Sequence, residues 1–523
     1  MDDTLTLPRT RRPSPVSRDR VTRAGLPDSR LPLAATLIAA LGLAVALAWG
    51  IWHRGPWYDD FYSWFVTDPG RTFADGLISS WLVDNHPPLF YVLVWITRHA
   101  SHSIESARQI NLVALAAGLL GSWFLIRDLR PERWIAAIFL LVIAANPATL
   151  EYGTELRSYL VSLIVSAVVI LALTVGWLTG TLDRAQRIVL AAGLLTGFNV
   201  HILTSVILGA ATLPFIAAAW FTGRRQLALA ILWPALIAGA IFVGICLIQI
   251  PLWWANTTVF WIPKDFSGVR WSIELCIEAA ITANPVALVA AIGGGALLCA
   301  DAAIRRTISP ELAAALLLGL GIVLASALLA ALQLVRPMVI ERYLAALIAP
   351  AAMTLALGFS ELVRRVGRRG GVLILAATLA ATGWALVRNT ELAIERHSWL
   401  WASSLAARVQ RHCADTPIHI DPPYWNAYSL SLPPRDNHMV MKRSYALVAG
   451  RLGLRLEPSQ SRRIARDCPT LFWAEHDVES RRTPEAVLAR LREQGFAVDH
   501  IWMYRQRFGW IASNRPLSAE GQR

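Results

Sequence analysis

Ionisable residues gather at the ends of apolar segments in this chain of 523 residues. The adjacent acids Asp59 and Asp60 follow the first long apolar segment, and Asp84 and His86 stand just before the next one. Carboxylates beside a bilayer are costly unless they face water, a cation or a substrate. The stretch 57–91 is therefore the first candidate for a functional site. The alternative is a solvated loop whose acids only mark the end of a helix.

Three later segments add groups that could act on the same substrate. They contribute Glu151, Glu155, Arg157 and Tyr159, then His201, and then Arg336, Glu341, Arg342 and Tyr343. An arginine guanidinium binds phosphate oxygens through paired donors. A carboxylate can accept a proton from an attacking hydroxyl group or bind a divalent cation such as Mg²⁺ or Mn²⁺. Together these groups indicate a reaction on a charged, lipid-linked substrate, although each arginine alone is more simply explained as a helix-end anchor.

Membrane helices are the elements that must position these residues. Hydrophobic residues make up 55% of the chain and charged residues only 16%, and the mean hydropathy is +0.46. A span needs about 20 apolar residues, and the chain contains roughly a dozen apolar runs. The net charge of +13 comes from short arginine clusters between these runs, as in cytoplasmic loops. Since no basic stripe is interleaved with aromatic residues, nucleic-acid binding is excluded.

The arginine clusters also predict the side of each loop. We place the clusters at 127–133, 182–187, 223–226, 304–306 and 364–369 in the cytoplasm, which puts all the candidate residues above on the outer side. The apolar runs are 31–52, 87–98, 109–126, 133–150, 157–178, 187–200, 202–221, 227–250, 284–304, 310–333, 343–363 and 371–388. Run 87–98 is short for a span and is interpreted as re-entrant. The predicted fold is a polytopic α-helical membrane protein with about 11–13 transmembrane or re-entrant helices.

The chain divides into three predicted parts. Residues 1–30 are polar and rich in arginine, and form a disordered basic tail in the cytoplasm. Residues 31–390 form the transmembrane module. Residues 391–523 alternate helical and strand patterns, which predicts a small soluble α/β domain outside the cytoplasm.

The C-terminal part has clear local signals. Thr483 and Pro484 begin a predicted helix that ends at Gly495. Cys413 and Cys468 could form a disulfide if this part is extracytoplasmic. No pair of cysteines has metal-ligand spacing.

Four short motifs occur in order within residues 31–390. They are Asp59-Asp60, His86-Pro87-Pro88-Leu89, Glu155-Leu156-Arg157-Ser158-Tyr159, and Arg342-Tyr343-Leu344 followed by Pro350. In type and order they resemble the motifs of GT-C fold glycosyltransferases, the group that includes protein O-mannosyltransferases and the bacterial enzymes that add aminoarabinose to lipid A. The C-terminal domain matches that group in type and position.

The resemblance implies transfer of a hexose or pentose, with inversion, from a polyprenyl-phosphate donor to a hydroxyl group of a lipid, glycan or protein. One of Asp59 and Asp60 would be the general base, and the other would orient the acceptor or bind a metal. The remaining implied roles are donor phosphate or metal binding for Glu155, Arg157 and His201, lipid phosphate binding for Arg342 with Tyr343, cavity shaping on the acceptor side for Asp84, His86 and Pro87, and metal binding for Asp60 with His201.

The chain departs from the group in two places. It has Asp-Asp where Asp-Glu is commoner, which leaves open which acid is the base. Asp84 and His86 occupy the region where some relatives have Lys or Glu, which leaves metal dependence open.

Two other classes of function fit a polytopic chain. A transporter or flippase of lipid-linked glycans predicts charged residues and broken helices near the middle of the bilayer. A polymerase or ligase of such glycans predicts an acceptor loop larger than 251–283. The Ala-, Arg- and Leu-rich composition is typical of bacteria, so we expect an inner-membrane protein with its N-terminus in the cytoplasm.

Overall fold

A computed structural model describes residues 30–84, 86–129, 132–256, 266–420, 434–458, 460–475 and 483–517. The predicted N-terminal tail therefore lies outside the described residues apart from Arg30. Almost every predicted apolar run is a helix in the structure. The helices up to residue 395 are α1 (Arg30–His53), α2 (Tyr58–Val66), α3 (Phe73–Gly76), α4 (Leu89–Arg98), α5 (Ile104–Arg108), α6 (Ile110–Ile126), α7 (Glu132–Ala145), α8 (Pro147–Gly153), α9 (Tyr159–Thr179), α10 (Arg184–Val200), α11 (Ile202–Phe221), α12 (Arg225–Asn256), α13 (Phe266–Thr282), α14 (Pro285–Arg305), α15 (Pro310–Val335) and α16 (Ile348–Glu395).

Two short helical turns of other types complete this part. A π-helical turn spans Leu77–Trp81, and a 3₁₀ turn spans Glu341–Leu347. Both lie next to predicted site residues, the first before Asp84 and the second around Arg342. π-helical turns are frequent at functional sites because they redirect the chain locally.

The protein is an integral membrane protein by the length and composition of its helices. Within the described residues, eight helical segments are long and apolar enough to cross a membrane. The pair α7 and α8, bent by 66° at Asn146, makes a ninth if it is one span. Helix α4 has ten residues, about 15 Å of helix, which is too short to cross a hydrocarbon core of about 30 Å. This agrees with the interpretation that run 87–98 does not cross fully.

Helix α16 is long enough for two spans. It has 48 residues, about 72 Å of helix, which is more than twice the thickness of the hydrocarbon core. Gly367 interrupts it with φ of 72° and ψ of −172°, a backbone conformation that glycine adopts without the clash of a Cβ. The interruption falls within the arginine cluster 364–369, where the sequence predicts a turn.

Polar caps define where several spans begin. Asp183 accepts a hydrogen bond from the backbone N–H of Gln186, whose side chain bonds back to Asp183. The side chains of Asn284 and Ser309 cap α14 and α15 by accepting from a backbone N–H of the first turn, and each is followed by a proline at the first helical position. Such caps satisfy backbone N–H groups that have no partner inside the helix.

The C-terminal domain is a four-stranded sheet with helices. Its strands have the order β1-β2-β4-β3, with β1 parallel to β2 and the other two pairs antiparallel. Its elements are α17 (Leu400–His412), β1 (Ile418–Ile420), α18 (Pro434–Leu452), β2 (Leu471–Ala474), α19 (Pro484–Glu493), β3 (Trp502–Arg505) and β4 (Trp510–Ser513). The predicted α/β character is confirmed.

The structure contains the local features predicted for this domain and two further elements that were not predicted. The Thr483 side chain caps α19 as predicted, and Gly495 ends the helix with φ of +85°. Cys413 and Cys468 form a disulfide with a Cα–Cα distance of 5.8 Å. Two elements are not predicted from the sequence: α18, whose first half is polar, and β4, which pairs with β3 across a tight turn at Gly509.

The C-terminal domain packs on the helix that carries the acid pair. Trp57 and Phe61 of the α2 segment belong to the hydrophobic core of this domain. The Phe61 ring lies 4.8 Å from the Trp399 ring, and the Trp399 backbone N–H donates to the Pro56 carbonyl at 3.0 Å. The domain therefore covers the stretch that follows the first span.

Candidate active site

Helix α2 presents the two acids in different directions. Asp59 and Asp60 lie in its first turn, where negative charge is favourable beside unpaired backbone N–H groups. Successive residues of an α-helix are rotated by about 100°, since 3.6 residues complete a turn. The two carboxylates therefore meet different partners, although both are buried.

Asp60 is held by a complete set of hydrogen-bond donors. Its Oδ2 lies 2.5 Å from Arg108 Nη2, and its Oδ1 accepts from the Leu156 backbone N–H at 2.6 Å and from Arg108 Nε at 3.3 Å. Its Oδ2 also accepts from the Trp57 backbone N–H at 3.2 Å. The Asp60 side chain is fully buried. It ties α2 to α5 and to the segment before α9.

Asp59 lies between two arginines. Its Oδ2 is 3.2 Å from Arg342 Nη1 and 3.7 Å from Arg157 Nε. Burial alone would raise the pKa of Asp59. The two guanidinium groups lower it by more than burial raises it, so the pKa lies below its ordinary value. Asp59 is thus an anion that faces two cations drawn from distant parts of the chain.

Arg157 is buried, but its polar contacts are long. Its nitrogens lie 3.4 Å from the Tyr159 hydroxyl and 3.5 Å from both Ser63 Oγ and the Tyr91 hydroxyl. Burial lowers the pKa of Arg157, but Asp59 raises it well above the ordinary value, so the group stays charged. Such a guanidinium retains donors for a phosphate.

Arg342 completes the cationic pair from the other side. Its guanidinium lies 5.3 Å from the centre of the Trp57 ring, and its side chain is 22% exposed. Its buried Nε has no hydrogen-bond partner among the described residues. Arg342 and Arg157 together can bind a phosphate group with Asp59 at its edge.

Histidine and tyrosine rings form a wall beside these charges. The His86 and His201 rings are 4.7 Å apart, and Tyr343 lies 5.0 Å from His201 and 5.6 Å from His86. Tyr159 lies 5.7 Å from Tyr343. Rings of this kind can pack against a sugar while their polar ends bond its hydroxyl groups.

The two histidines differ in the hydrogen bonds of their ring nitrogens. His201 Nδ1 accepts from the Leu203 backbone N–H at 3.2 Å, and burial lowers the pKa of His201 well below its ordinary value. Neutral His201 therefore carries its proton on Nε2. Neither ring nitrogen of His86 has a hydrogen-bond partner among the described residues, although its Nδ1 is 3.6 Å from Asp84 Oδ2.

Asp84 and Pro87 shape the turn that carries His86. Asp84 accepts a hydrogen bond from the Tyr91 hydroxyl. Burial raises the pKa of Asp84, but His86 and the other partners lower it below the ordinary value. Pro87 is buried beside it.

Gln249 also contributes to the site, although it was not predicted from the sequence. Its Nε2 donates to the carbonyl oxygens of His86 at 2.9 Å, Asp84 at 3.2 Å and Trp81 at 3.4 Å. It is fully buried near the end of α12. A lone amide in the apolar run 227–250 is the signal that could have revealed it, because a polar group in such a run needs a partner.

Glu155 forms its direct ion pair with Arg54. Arg54 Nη2 lies 2.8 Å from Glu155 Oε1, and Arg54 Nη1 donates to the Glu151 carbonyl and to Thr154 Oγ1, both at 2.8 Å. Burial raises the pKa of Glu155, and despite Arg54 the result is about 7. Glu155 thus supports the segment that presents Arg157. Arg54 and Arg108 are buried cations that help to hold this part of the structure. Neither was among the site residues predicted from the sequence.

The predicted cation ligands do not form a cation site. Within the part of the chain that the structure describes, no group of three or more His, Cys, Asp or Glu side chains could hold a metal ion. Both oxygens of Asp60 already accept from N–H donors, and His201 Nδ1 accepts a backbone N–H. Asp60 and His201 therefore do not fit the predicted pair of ligands, and we derive no step through a cation.

Comparisons with known proteins give a likeness of fold. No protein-family model and no curated protein matches the chain. Among solved structures, the chain is similar to ArnT from Cupriavidus metallidurans bound to undecaprenyl phosphate, with 14% identity, a TM-score of 0.49, and coverage of 93% of this chain and 98% of that one. The apo state of the same ArnT gives 13% identity, a TM-score of 0.46, and coverage of 92% and 98%. At such scores we base the function on the geometry of this chain.

Proposed function

We propose that this chain is a membrane glycosyltransferase that moves a sugar from a polyprenyl-phosphate donor to a hydroxyl acceptor. The observation that carries the proposal is Asp59 held between Arg157 and Arg342 at the end of the first span. It combines a phosphate site with a base at the surface of a bilayer. The aromatic wall of His86, His201 and Tyr343 borders the same space.

The two arginines supply the stabilisation that this reaction needs. When the bond between the anomeric carbon and the phosphate oxygen breaks, negative charge develops on the leaving phosphate. Guanidinium donors already in place stabilise that charge without reorganisation. Because a phosphate leaves readily, the reaction needs no general acid, and positioning of the reactants does the remaining work.

Asp59 is the proposed general base. The acceptor hydroxyl forms a bond to the anomeric carbon on the face opposite the phosphate, and its proton passes to the Asp59 carboxylate, which gives inversion. In the ligand-free site, Arg157 and Arg342 depress the pKa of Asp59 and weaken it as a base. A donor phosphate that takes over the arginine contacts would raise this pKa. Donor binding and base activation are therefore coupled.

Asp60 has a positioning role in this proposal. All its hydrogen bonds go to the protein, and it contacts the backbone of Leu156 directly beside Arg157. We therefore propose Asp59, rather than Asp60, as the base.

We propose that the site faces the outside of the bacterial inner membrane. Support comes from the disulfide between Cys413 and Cys468, because disulfides persist in oxidising compartments. The arginine-rich turns at 182–187, 223–226 and 364–369 lie at the other ends of the helices, as expected for cytoplasmic loops.

The test is transfer by the purified full-length protein in proteoliposomes. Radiolabelled polyprenyl-phosphate pentose and hexose serve as donors, with envelope lipid and glycan extracts as acceptors. We expect label to move from the polyprenyl fraction to an acceptor, with loss of transfer in Asp59→Asn. Movement of the intact donor between leaflets without transfer would contradict the proposal and support a transporter.

A further inference from the structure

A long apolar cavity lies between α1, α6, α7 and α9, apart from the charged site. Its volume is about 270 Å³, and its lining is almost entirely apolar, with Leu43 of α1, Leu119 of α6, Phe139 of α7 and Leu163 of α9 as examples. Along α1 it extends from Leu33 to Leu47, about 21 Å of helix, which is most of a hydrocarbon core of about 30 Å.

The cavity is closed at the end near the site and open at the other. Leu47 and Leu160 line the closed end, and each is only 1% exposed. At the opposite end, Leu37 is 62% exposed and Trp123 is 41% exposed. The opening therefore faces the bilayer on the side away from Asp59.

Neither water nor empty space accounts for such a cavity. Water needs several polar partners, and this lining offers almost none. Protein interiors are otherwise packed to crystal-like density, so a void of this length in contact with lipid is filled by lipid. Its extent of about 21 Å along α1 matches the length of a single extended hydrocarbon chain.

The open end carries a positive group that fits a phosphate. Arg133 lines the cavity, and its buried Nε has no hydrogen-bond partner among the described residues. Its Nη2 donates to the Arg127 carbonyl. The nearby acid Asp128 pairs with Arg127 at 3.2 Å and is 73% exposed, so it extends towards solvent.

We infer that this cavity binds one acyl chain of an anionic phospholipid, with the phosphate at Arg133. The lipid belongs to the leaflet away from the site, because a chain that entered from the site side would have to pass the buried Leu47 and Leu160. The chain ends below Gly153, against which Leu47 packs so closely that a Cβ on Gly153 would lie 2.2 Å from Leu47 Cδ1. The bound lipid thus supports the segment that carries Glu155 and Arg157.

The test uses native mass spectrometry and lipid extraction of the full-length protein purified in mild detergent. Ala40→Phe fills the cavity, and Ala117→Phe places the same side chain on the exposed face of α6 as a matched control. We expect the wild type and Ala117→Phe to retain a phospholipid that Ala40→Phe loses. Ser122→Phe, which fills the cavity from α6, gives the same measurement if Ala40→Phe does not fold.

The headgroup assignment has its own pair of variants. Arg133→Gln is expected to lose the preference for anionic over zwitterionic phospholipid, while Arg184→Gln, on an exposed turn, keeps it. Equal lipid retention in Ala40→Phe and Ala117→Phe would overturn the inference. So would a polyprenyl phosphate as the retained lipid, or a wild type that retains none. The measured lipid retention and headgroup preference do not depend on transferase activity.

Discussion

Replacing each acid of the adjacent pair by asparagine should produce two different defects. Asp59→Asn and Asp60→Asn keep the size of the side chain and remove one negative charge. The charge at Asp60 is opposed by the buried Arg108, whereas the charge at Asp59 is opposed by Arg157 and by Arg342, which is partly exposed.

The expected loss of stability is larger for Asp60→Asn than for Asp59→Asn. Removing one partner of a buried ion pair costs about 3–5 kcal/mol, because the other charge is left without compensation. The new amide group would also point N–H donors at Arg108 or at the backbone N–H groups of Trp57 and Leu156. For Asp59→Asn we expect a smaller loss of stability than for Asp60→Asn, because Arg342 is partly exposed and reaches water, although the buried Arg157 also loses a charge partner.

The expected effect on catalysis is the reverse. Loss of a general base slows the chemical step by about 100- to 10,000-fold. Asp59→Asn should show this loss even when it is assayed well below its own unfolding transition. Asp60→Asn should melt at a much lower temperature and, when assayed well below that transition, keep more activity than Asp59→Asn.

The assay pairs thermal unfolding in detergent with transfer of labelled sugar in proteoliposomes, and it includes Asp75→Asn as a control on the exposed side of α3. A stable but inactive Asp60→Asn would refute the positioning role of Asp60. An active Asp59→Asn would refute the proposed base.

Four further predictions follow from individual contacts. Arg157→Gln should weaken binding of polyprenyl phosphate about 10- to 100-fold, as expected for loss of a charged hydrogen bond of about 1.5–3 kcal/mol, measured by equilibrium binding to the purified protein. Gln249→Leu should lower kcat with little change in KM for the donor, because the turn that carries His86 loses its side-chain clamp; Gln249→Asn, which is too short to reach, should do the same. The pKa of Glu155, raised from 4.5 to about 7, means that the folded state binds more protons than the unfolded state between these values. Stability should therefore fall as pH rises from about 4.5 to 7, by up to about 3 kcal/mol, and chemical denaturation of Glu155→Gln should show a flatter profile. Cys413→Ser should release Cys468 for alkylation without reductant and lower stability by about 4 kcal/mol for a loop of 55 residues, as measured by mass shift and thermal unfolding.

Much of the membrane fold follows from local sequence properties. Apolar length predicts the spans and arginine clusters predict the turns between them, as at 364–369, where Gly367 interrupts α16. The short α4 is also anticipated, because ten residues cannot cross the bilayer. In the C-terminal domain, β4 and α18 were missed because their stability comes from partners rather than from a strong local pattern.

The site is predicted less completely. Residue type alone indicated Asp59, Arg157, His201 and Arg342, and the structure brings these together. It also brings in Gln249, the lone amide of an otherwise apolar run. Glu155 lies in the predicted segment but pairs with Arg54. Hydrogen-bond partners depend on distances between remote segments, which the order of residues does not state.

Acids, arginines and histidines stand at the ends of membrane helices, and this can be read from the order of residues because hydrophobicity and charge act locally along the chain. The enclosure of Asp60 by Arg108, with Asp59 facing Arg157 and Arg342, arises from the packing of segments that are distant in the chain. The two acids are chemically identical and adjacent, so no local property separates them. What separates them is the rotation of about 100° between successive helical residues, which turns each carboxylate towards a different distant partner.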